Sequence, residues 1–306
     1  MEVTVHERRR LSFGIKTSQA GIGYDDICRL WQEADSIDVI EHAWLWDHMV
    51  PLRGPAGAPA LEAWTLLSAL AAQTKRLRLG VIVTNNQLRR PTLLAKMAAT
   101  VDIISGGRLE FGLGAGAGLT SQLEEATIDI VRREYDGYGV PIIRAADAVS
   151  ALAEACTLIR RMWSEAEPFD FDGKYYQLSG TVCEPKPVSR PHPPITIGGA
   201  GQKLTLRVVA EHADIWNCPA RTPEEFRQSS AVLDQHCAAV GRDPDEIARS
   251  VQLILRDDDL ANTRDQVQEF IDAGVNHVVL APLPPFRPLA DLATNIIEPA
   301  LARIGT

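Results

Sequence analysis

The chain has 306 residues, 45% of them apolar and 23% charged, a balance that supports a sizeable core and excludes disordered or collagen-like composition. Thirty-one basic against 40 acidic side chains leave a net charge of -9, which argues against nucleic acid or an anionic membrane as partner, because both are held by concentrated positive charge. There is no run of about 18 apolar residues and no apolar stretch behind a charged N-terminus, so neither secretion nor membrane spanning is expected and a cytoplasmic location is the default.

In chain order, residues 1–10, ending in Arg8, Arg9 and Arg10, read as a solvated arm. Apolar, β-branched or aromatic runs then occur at 11–16, 41–46, 77–84, 109–114, 195–198, 214–217, 251–255 and 276–281, each a candidate strand. Segments with helical spacing follow them at 24–37, 61–73, 91–105, 146–163, 202–212, 223–240, 263–273 and 288–303. Asp25 and Asp26 charge an early turn, Pro91 and Pro223 suit first turns, and Thr222 is a fair N-cap.

Strands alternating with helices imply a parallel sheet, since each parallel connection needs a crossover. Eight such units match an α/β fold of the closed (β/α)8 TIM-barrel type better than an open doubly wound sheet, which has fewer strands. The barrel is read as one domain over 11–306, with insertions after strand four (115–145) and before strand five (164–194). Connections beyond about 12–15 residues are usually functional. The second insertion carries aromatics on both sides of Asp172-Gly173, which reads as a small hairpin, followed by a proline-rich strap.

A barrel works at the carboxyl ends of its strands, so the residues just after each run form the shortlist. After strand two come Asp47 and His48, a carboxylate beside a side chain that exchanges protons near neutral pH. The pair fits either proton transfer at a ligand or a histidine bonded to a loop beside a turn-capping aspartate. The run GLGAGAG at 112–118 meets the spacing of a dinucleotide fingerprint, yet it follows a fourth strand rather than opening a domain. Its glycines fit the approach of a flat ring to the backbone, or simply close strand packing. The turn Gly198-Gly199-Ala200-Gly201-Gln202 between a strand and a helix could bind phosphate through free N–H groups, or serve only as a tight connection. Lys16 ends strand one, where a desolvated amine could form a Schiff base or a surface lysine could pair with a carboxylate. Five cysteines without a C-x-x-C pair and seven histidines without H-x-H or H-E-x-x-H spacing predict reduced thiols and no metal site.

Taken together, KTSQAGIGYDD, WLWDHMVPL, EAWTLLSALAAQTKRLRLGVIVTNN, RRPTLLAKMAATVDIISGGRLEFGLGAGAG, FDFDGKYYQL, PKPVSRPHPPITIGGAG and LRVVAEHADIWN, in this order from 11 to about 217, resemble the bacterial luciferase-like superfamily. Within it the chain is most similar to the actinobacterial oxidoreductases that use the deazaflavin coenzyme F420. The resemblance implies a (β/α)8 barrel with Asp47 touching the cofactor and His48 in proton transfer. It also implies a bulge with a non-proline cis peptide at Ile82-Val83 behind the ring, and polar contacts near Asn85. Ala115 and Gly116 would contact the ring or its side chain, while Gly198, Gly199, Ala200, Gly201 and Gln202 would hold the phosphate.

One departure matters. The carboxylate that sugar-phosphate dehydrogenases of the superfamily carry after the glycine ladder is replaced by Ala117, which sets glucose 6-phosphate aside, and the extra segment 119–139 is expected to reshape the pocket. The expected function is hydride exchange between F420 and a small organic substrate, by a cytoplasmic homodimer. The alternatives are an FMN-dependent monooxygenase of the same superfamily, a Schiff-base lyase using Lys16, and a barrel that binds deazaflavin without catalysis.

Overall fold

Every short apolar run forms a strand, and the helices between them shield one side of the sheet. The computed structural model describes residues 10–52, 57–116, 125–255, 260–284 and 286–304. In chain order the elements are β1 (Ser12–Lys16), α1 (Tyr24–Asp35), β2 (His42–Leu45), α2 (Ala63–Gln73), β3 (Arg78–Val81), β4 (Thr84–Asn85), α3 (Pro91–Ser105) and β5 (Leu109–Gly114). Then come α4 (Glu125–Gly137), α5 (Ala145–Ser164), β6 (Phe169–Asp172), β7 (Gln177–Thr181), β8 (Ile195–Gly198), α6 (Thr205–His212), β9 (Ile215–Cys218) and α7 (Pro223–Val240). The chain finishes with β10 (Ala248–Leu255), α8 (Leu260–Asp272), β11 (His277–Pro282), α9 (Leu289–Leu292) and α10 (Glu298–Ile304).

The parallel order β3-β2-β1-β11-β10-β9-β8-β5 closes through pairing of β3 with β5, so the sheet is the expected eight-stranded barrel. β4 is a two-residue addition at the rim, paired with the end of β5. Local signals act where the sequence put them. Thr222 accepts from the Glu225 amide ahead of Pro223 and α7, Pro91 opens α3, and Gly106 ends it at a φ of 68°. Besides shifts of one to three residues at other ends and the division of 77–84 into β3 and β4, three differences stand out. α6 starts at Thr205 rather than 202 because the glycine turn runs on to Leu204, and the last helical stretch is divided by a π-turn over Ala293–Ile297. The third difference is α4, a helix inside the segment expected to be a loop.

The hairpin falls where Asp172-Gly173 predicted it, closed by the Gly173 amide donating to the Tyr176 carbonyl at 2.9 Å. The proline strap returns along α3, held by buried Asp102, whose carboxylate accepts from the amide and the hydroxyl of Ser189, each at 2.8 Å. All five cysteines are free, and no described helix is long and apolar enough to cross a membrane. Residues 1–9 of the expected arm lie outside the described residues.

Side chains alternate along each strand, so Phe13, Ile15, Ala43, Leu45, Leu79 and Val81 pack under the helices while their neighbours fill the lumen. A Cβ at Gly14 would overlap the imidazole of His42, and one at Gly80 would come within 2.6 Å of the Trp44 indole. The absent side chains make room for those rings. Trp44, Ile82 and Val279 form an apolar plug across the lumen. Beneath it the His42 and His277 rings stack at 4.0 Å, Trp44 Nε1 donates to His42 Nδ1 at 2.7 Å, and Ser250 Oγ meets His277 Nδ1 at 2.8 Å. Arg78 pairs with Glu110 at the same level.

Burial, followed by the neighbouring His277, holds the His42 pKa well below the ordinary histidine value. Burial alone would raise Glu110, but Arg78 and the two imidazoles outweigh it and keep the carboxyl far below the usual range. Both depressed values give the same sign: the stability they contribute is present above the unfolded pKa, near 6.5 for His42, and is lost as pH falls. The midpoint of thermal unfolding is expected to fall steadily from pH 7.5 to pH 4.5. A flat profile across that window would show that this lumen cluster carries no linkage.

Candidate active site

Asp47 leaves the end of β2 and is almost fully buried. Its Oδ2 accepts from Arg89 Nη1 at 2.6 Å and from the Asn85 amide at 2.8 Å. The other guanidinium nitrogen of Arg89 binds Glu62, whose carboxylate also caps α2 through the amides of Trp64 and Thr65. Burial would depress the arginine, but Asp47 and Glu62 raise its pKa, so it stays a cation. One carboxylate therefore ties the tips of β2 and β4 to the segment ahead of α3.

His48 follows on the open side, about a third exposed. Its Nδ1 lies 3.3 Å from Oε2 of Glu134, and Oε1 of the same carboxylate accepts from the Met49 amide at 2.5 Å. A carboxylate ion only accepts, so Nδ1 carries the hydrogen and Nε2 is left to give or take a proton. Glu134 is buried and comes from α4, the unexpected helix. The next residue, Tyr135, accepts from Asn85 Nδ2 at 2.8 Å, and Tyr138 Oη donates to the Met49 carbonyl at 3.3 Å. The hairpin reaches the same rim through Tyr176 Oη, which accepts from Asn86 Nδ2 at 3.0 Å.

The Ile82-Val83 peptide is cis, at the residues the resemblance indicated. Val83 fills space that side chains at two strand ends would occupy: a Cβ at Gly114 would lie 2.6 Å from Val83 Cγ2, and one at Gly198 would lie 3.0 Å from both methyls. Gly116 has a φ of 81°, and a Cβ there would run into Asn85 Oδ1 and approach Tyr135 Oη to 2.8 Å. Ala115 offers its carbonyl to Gln87 Nε2 at 2.9 Å.

The turn after β8 is pinned at its base by Trp216 Nε1 donating to the Gly199 carbonyl at 2.7 Å and by the Gly199 amide donating to Asn217 at 3.1 Å. Ala200 packs against the core, Gly201 and Gln202 are exposed, and His236 Nε2 donates to the Gln202 carbonyl at 2.8 Å. The helix that follows has no side-chain cap, and of its first-turn amides that of Leu206 donates to the Gly201 carbonyl at 3.0 Å.

The sequence-derived candidates thus meet at one end of the barrel: Gly198 touches Val83, Val83 leads through β4 to Asn85, and Asn85 binds Asp47 next to His48. Ala117 and Gly118 of the glycine ladder lie outside the described residues. Sequence reasoning missed Glu134 and Tyr135. The spacing of Ile128, Val131 and Tyr135 was the available signal for a helix there. A groove of about 550 Å³ near Lys96, Met162 and Val182 lies on the outer wall and takes no part in this arrangement. No cluster of potential metal ligands occurs among the described residues.

A family model described as luciferase-like monooxygenase matches residues 11–298. The chain is 30% identical over 217 residues to a phthiodiolone/phenolphthiodiolone dimycocerosates ketoreductase of Mycobacterium sp. (strain JLS), an alignment covering 70% of this chain and 52% of that one. It therefore spans about half the length of that relative. It is 26% identical over 279 residues to an F420-dependent glucose-6-phosphate dehydrogenase of Amycolatopsis mediterranei (strain U-32), covering 88% and 78%. Among solved structures, an F420-dependent secondary alcohol dehydrogenase in complex with an F420-acetone adduct superposes with a TM-score of 0.80 at 17% identity, covering 95% and 99%.

The crowding at Gly116 makes a direct prediction. Gly116→Ala should cost about 1–3 kcal/mol, read as a lowered midpoint in denaturant, because a Cβ in a left-handed conformation must also displace Asn85. Gly137→Ala, where a Cβ meets nothing, should leave the midpoint unchanged or slightly raised. Equal effects would refute the close packing described at Gly116.

Proposed function

The chain belongs to the luciferase-like monooxygenase family, and on that premise we propose that it is an oxidoreductase exchanging a hydride between coenzyme F420 and an organic carbonyl or alcohol. The observation that carries this reading is the His48–Glu134 pair beside the cradle formed by Val83, Gly114 and Gly198. A deazaflavin supplies hydride chemistry and no proton acid, so a positioned acid–base residue is what the protein must add.

The residues present fit such a ring. Buried, unpartnered Asn86 Oδ1 stands at the mouth as an acceptor for a heterocycle edge. The Gly198–Gln202 turn would take the phosphate on its amides. The Trp44, Ile82 and Val279 plug closes the lumen beneath, and α4 and the hairpin restrict water from the side.

In the reducing direction, His48 Nε2–H would protonate the carbonyl oxygen as the hydride reaches its carbon. In the oxidising direction, neutral Nε2 would take the hydroxyl proton. Glu134 fixes the tautomer and favours the imidazolium that forms in that second case.

The second reading, a reduced-FMN monooxygenase, is favoured by the description of the family itself. Titrating the purified protein with F420 and with FMN separates them, and F420 is expected to bind more tightly. Binding of FMN alone would overturn the first reading.

With reduced F420 and a ketone, His48→Asn should lower kcat by about 100-fold or more, the range of general acid–base catalysis, with cofactor affinity nearly unchanged. Glu134→Gln should lower kcat less, because the imidazole stays in place but loses the carboxylate that faces its Nδ1. Unchanged turnover in His48→Asn would remove that residue from the reaction.

A further inference from the structure

Lys16 is the last residue of β1 and lies on the lumen side, in one row with Trp44 of β2 and, by continuation of the register, with Ala281 of β11. Its side chain is largely enclosed, yet it makes no hydrogen bond or ion pair with any described residue. Other enclosed cations among the described residues each have a partner: Arg89 has Asp47 and Glu62, Arg249 has Asp234 through one of its nitrogens, and Lys186 has two backbone carbonyls. Burial alone pushes the Lys16 pKa down to about 8, with no carboxylate acting against it.

Two residues above Trp44 on the same face of that strand stands Trp46. Its Nε1–H is buried without an acceptor, and its ring centroid lies 4.9 Å from that of His48. The wall beneath is the apolar plug, and the nearby carboxylates are spent, Asp47 chiefly on Arg89 and Glu134 on Met49 and His48. An ammonium and an indole N–H in an apolar mouth, both donors and both unpartnered, complement an anionic oxygen group.

The barrel order gives that group an owner. Around the ring β1 stands four strands from β8 in either direction, so Lys16 faces the Gly198 turn across the mouth. A ring seated on Val83 with its phosphate at Gly198 occupies the far side and leaves the Lys16 wall to the other reactant.

We infer that Lys16, together with the Trp46 indole N–H, is a recognition site for a carboxylate on the substrate. This rests on the function proposed above and narrows it to keto acids, hydroxy acids or similarly charged carbonyl compounds.

The test uses the full chain without cofactor and two probes of one shape, benzoate and benzamide, followed by calorimetry. Benzoate is expected to bind at least tenfold more tightly than benzamide. Lys16→Met should abolish that preference and Lys16→Arg should keep most of it. Because the ammonium has no partner among the described residues, Lys16→Met should also unfold at a temperature no lower than the wild type. Equal binding of the two probes, a preference that survives Lys16→Met, or a lowered unfolding temperature in that variant would each overturn the inference.

Titration of Lys16→Met with F420 separates the two owners of an anionic oxygen. Wild-type affinity supports the substrate, and a tenfold loss assigns the group to the cofactor and overturns the proposal. If neither wild type nor variant binds F420 while the benzoate preference behaves as expected, it is the cofactor reading that fails.

Discussion

The mouth of the barrel is held by one carboxylate. Asp47 accepts a charged hydrogen bond from Arg89 and an amide hydrogen bond from Asn85, so three segments distant in sequence share a single anchor. Charge-assisted bonds in a nearly dry site are strong but leave an expensive orphan when one partner is removed. The geometry of His48, Asn85 and Val83 all follows from this knot, because each is attached to a strand end that it fixes.

Around that anchor the work divides by element. Strand ends provide the rigid parts: the Val83 cradle, the turn after β8, and the lumen plug below. The two insertions provide contacts to the rim, α4 through Glu134, Tyr135 and Tyr138, and the hairpin through Tyr176. Long connections on a barrel commonly carry function because they vary without disturbing the core. The carboxylate at His48 illustrates this, since it arrives from α4 while the position after the glycine ladder holds alanine.

The eight strands were legible because their apolar runs are short and regularly spaced, and alternation left one face for the helices and one for the lumen. Thr222, Pro223 and Pro91 marked helix starts through local chemistry that tertiary contacts did not override. The location of Asp47 and His48 was legible too, since a barrel always exposes its strand ends on one side. Glu134 was not. In sequence it sits between Arg133 and Tyr135 in a polar stretch that reads as solvated, and only the docking of α4 buries it. The isolation of Lys16 was equally hidden, because the absence of a partner is a property of the assembled lumen and no local pattern encodes it.

The strands of the lumen are drawn together at two glycines, the space a side chain at Gly14 would use being taken by the His42 ring and carbonyl, and that at Gly80 by the Glu110 carbonyl and the Trp44 indole. Shrinking the ring next door would not admit a larger residue at either glycine, because a backbone carbonyl overlaps each Cβ position. Anyone reshaping this barrel from within is thereby left to vary the rings while both glycines stay fixed.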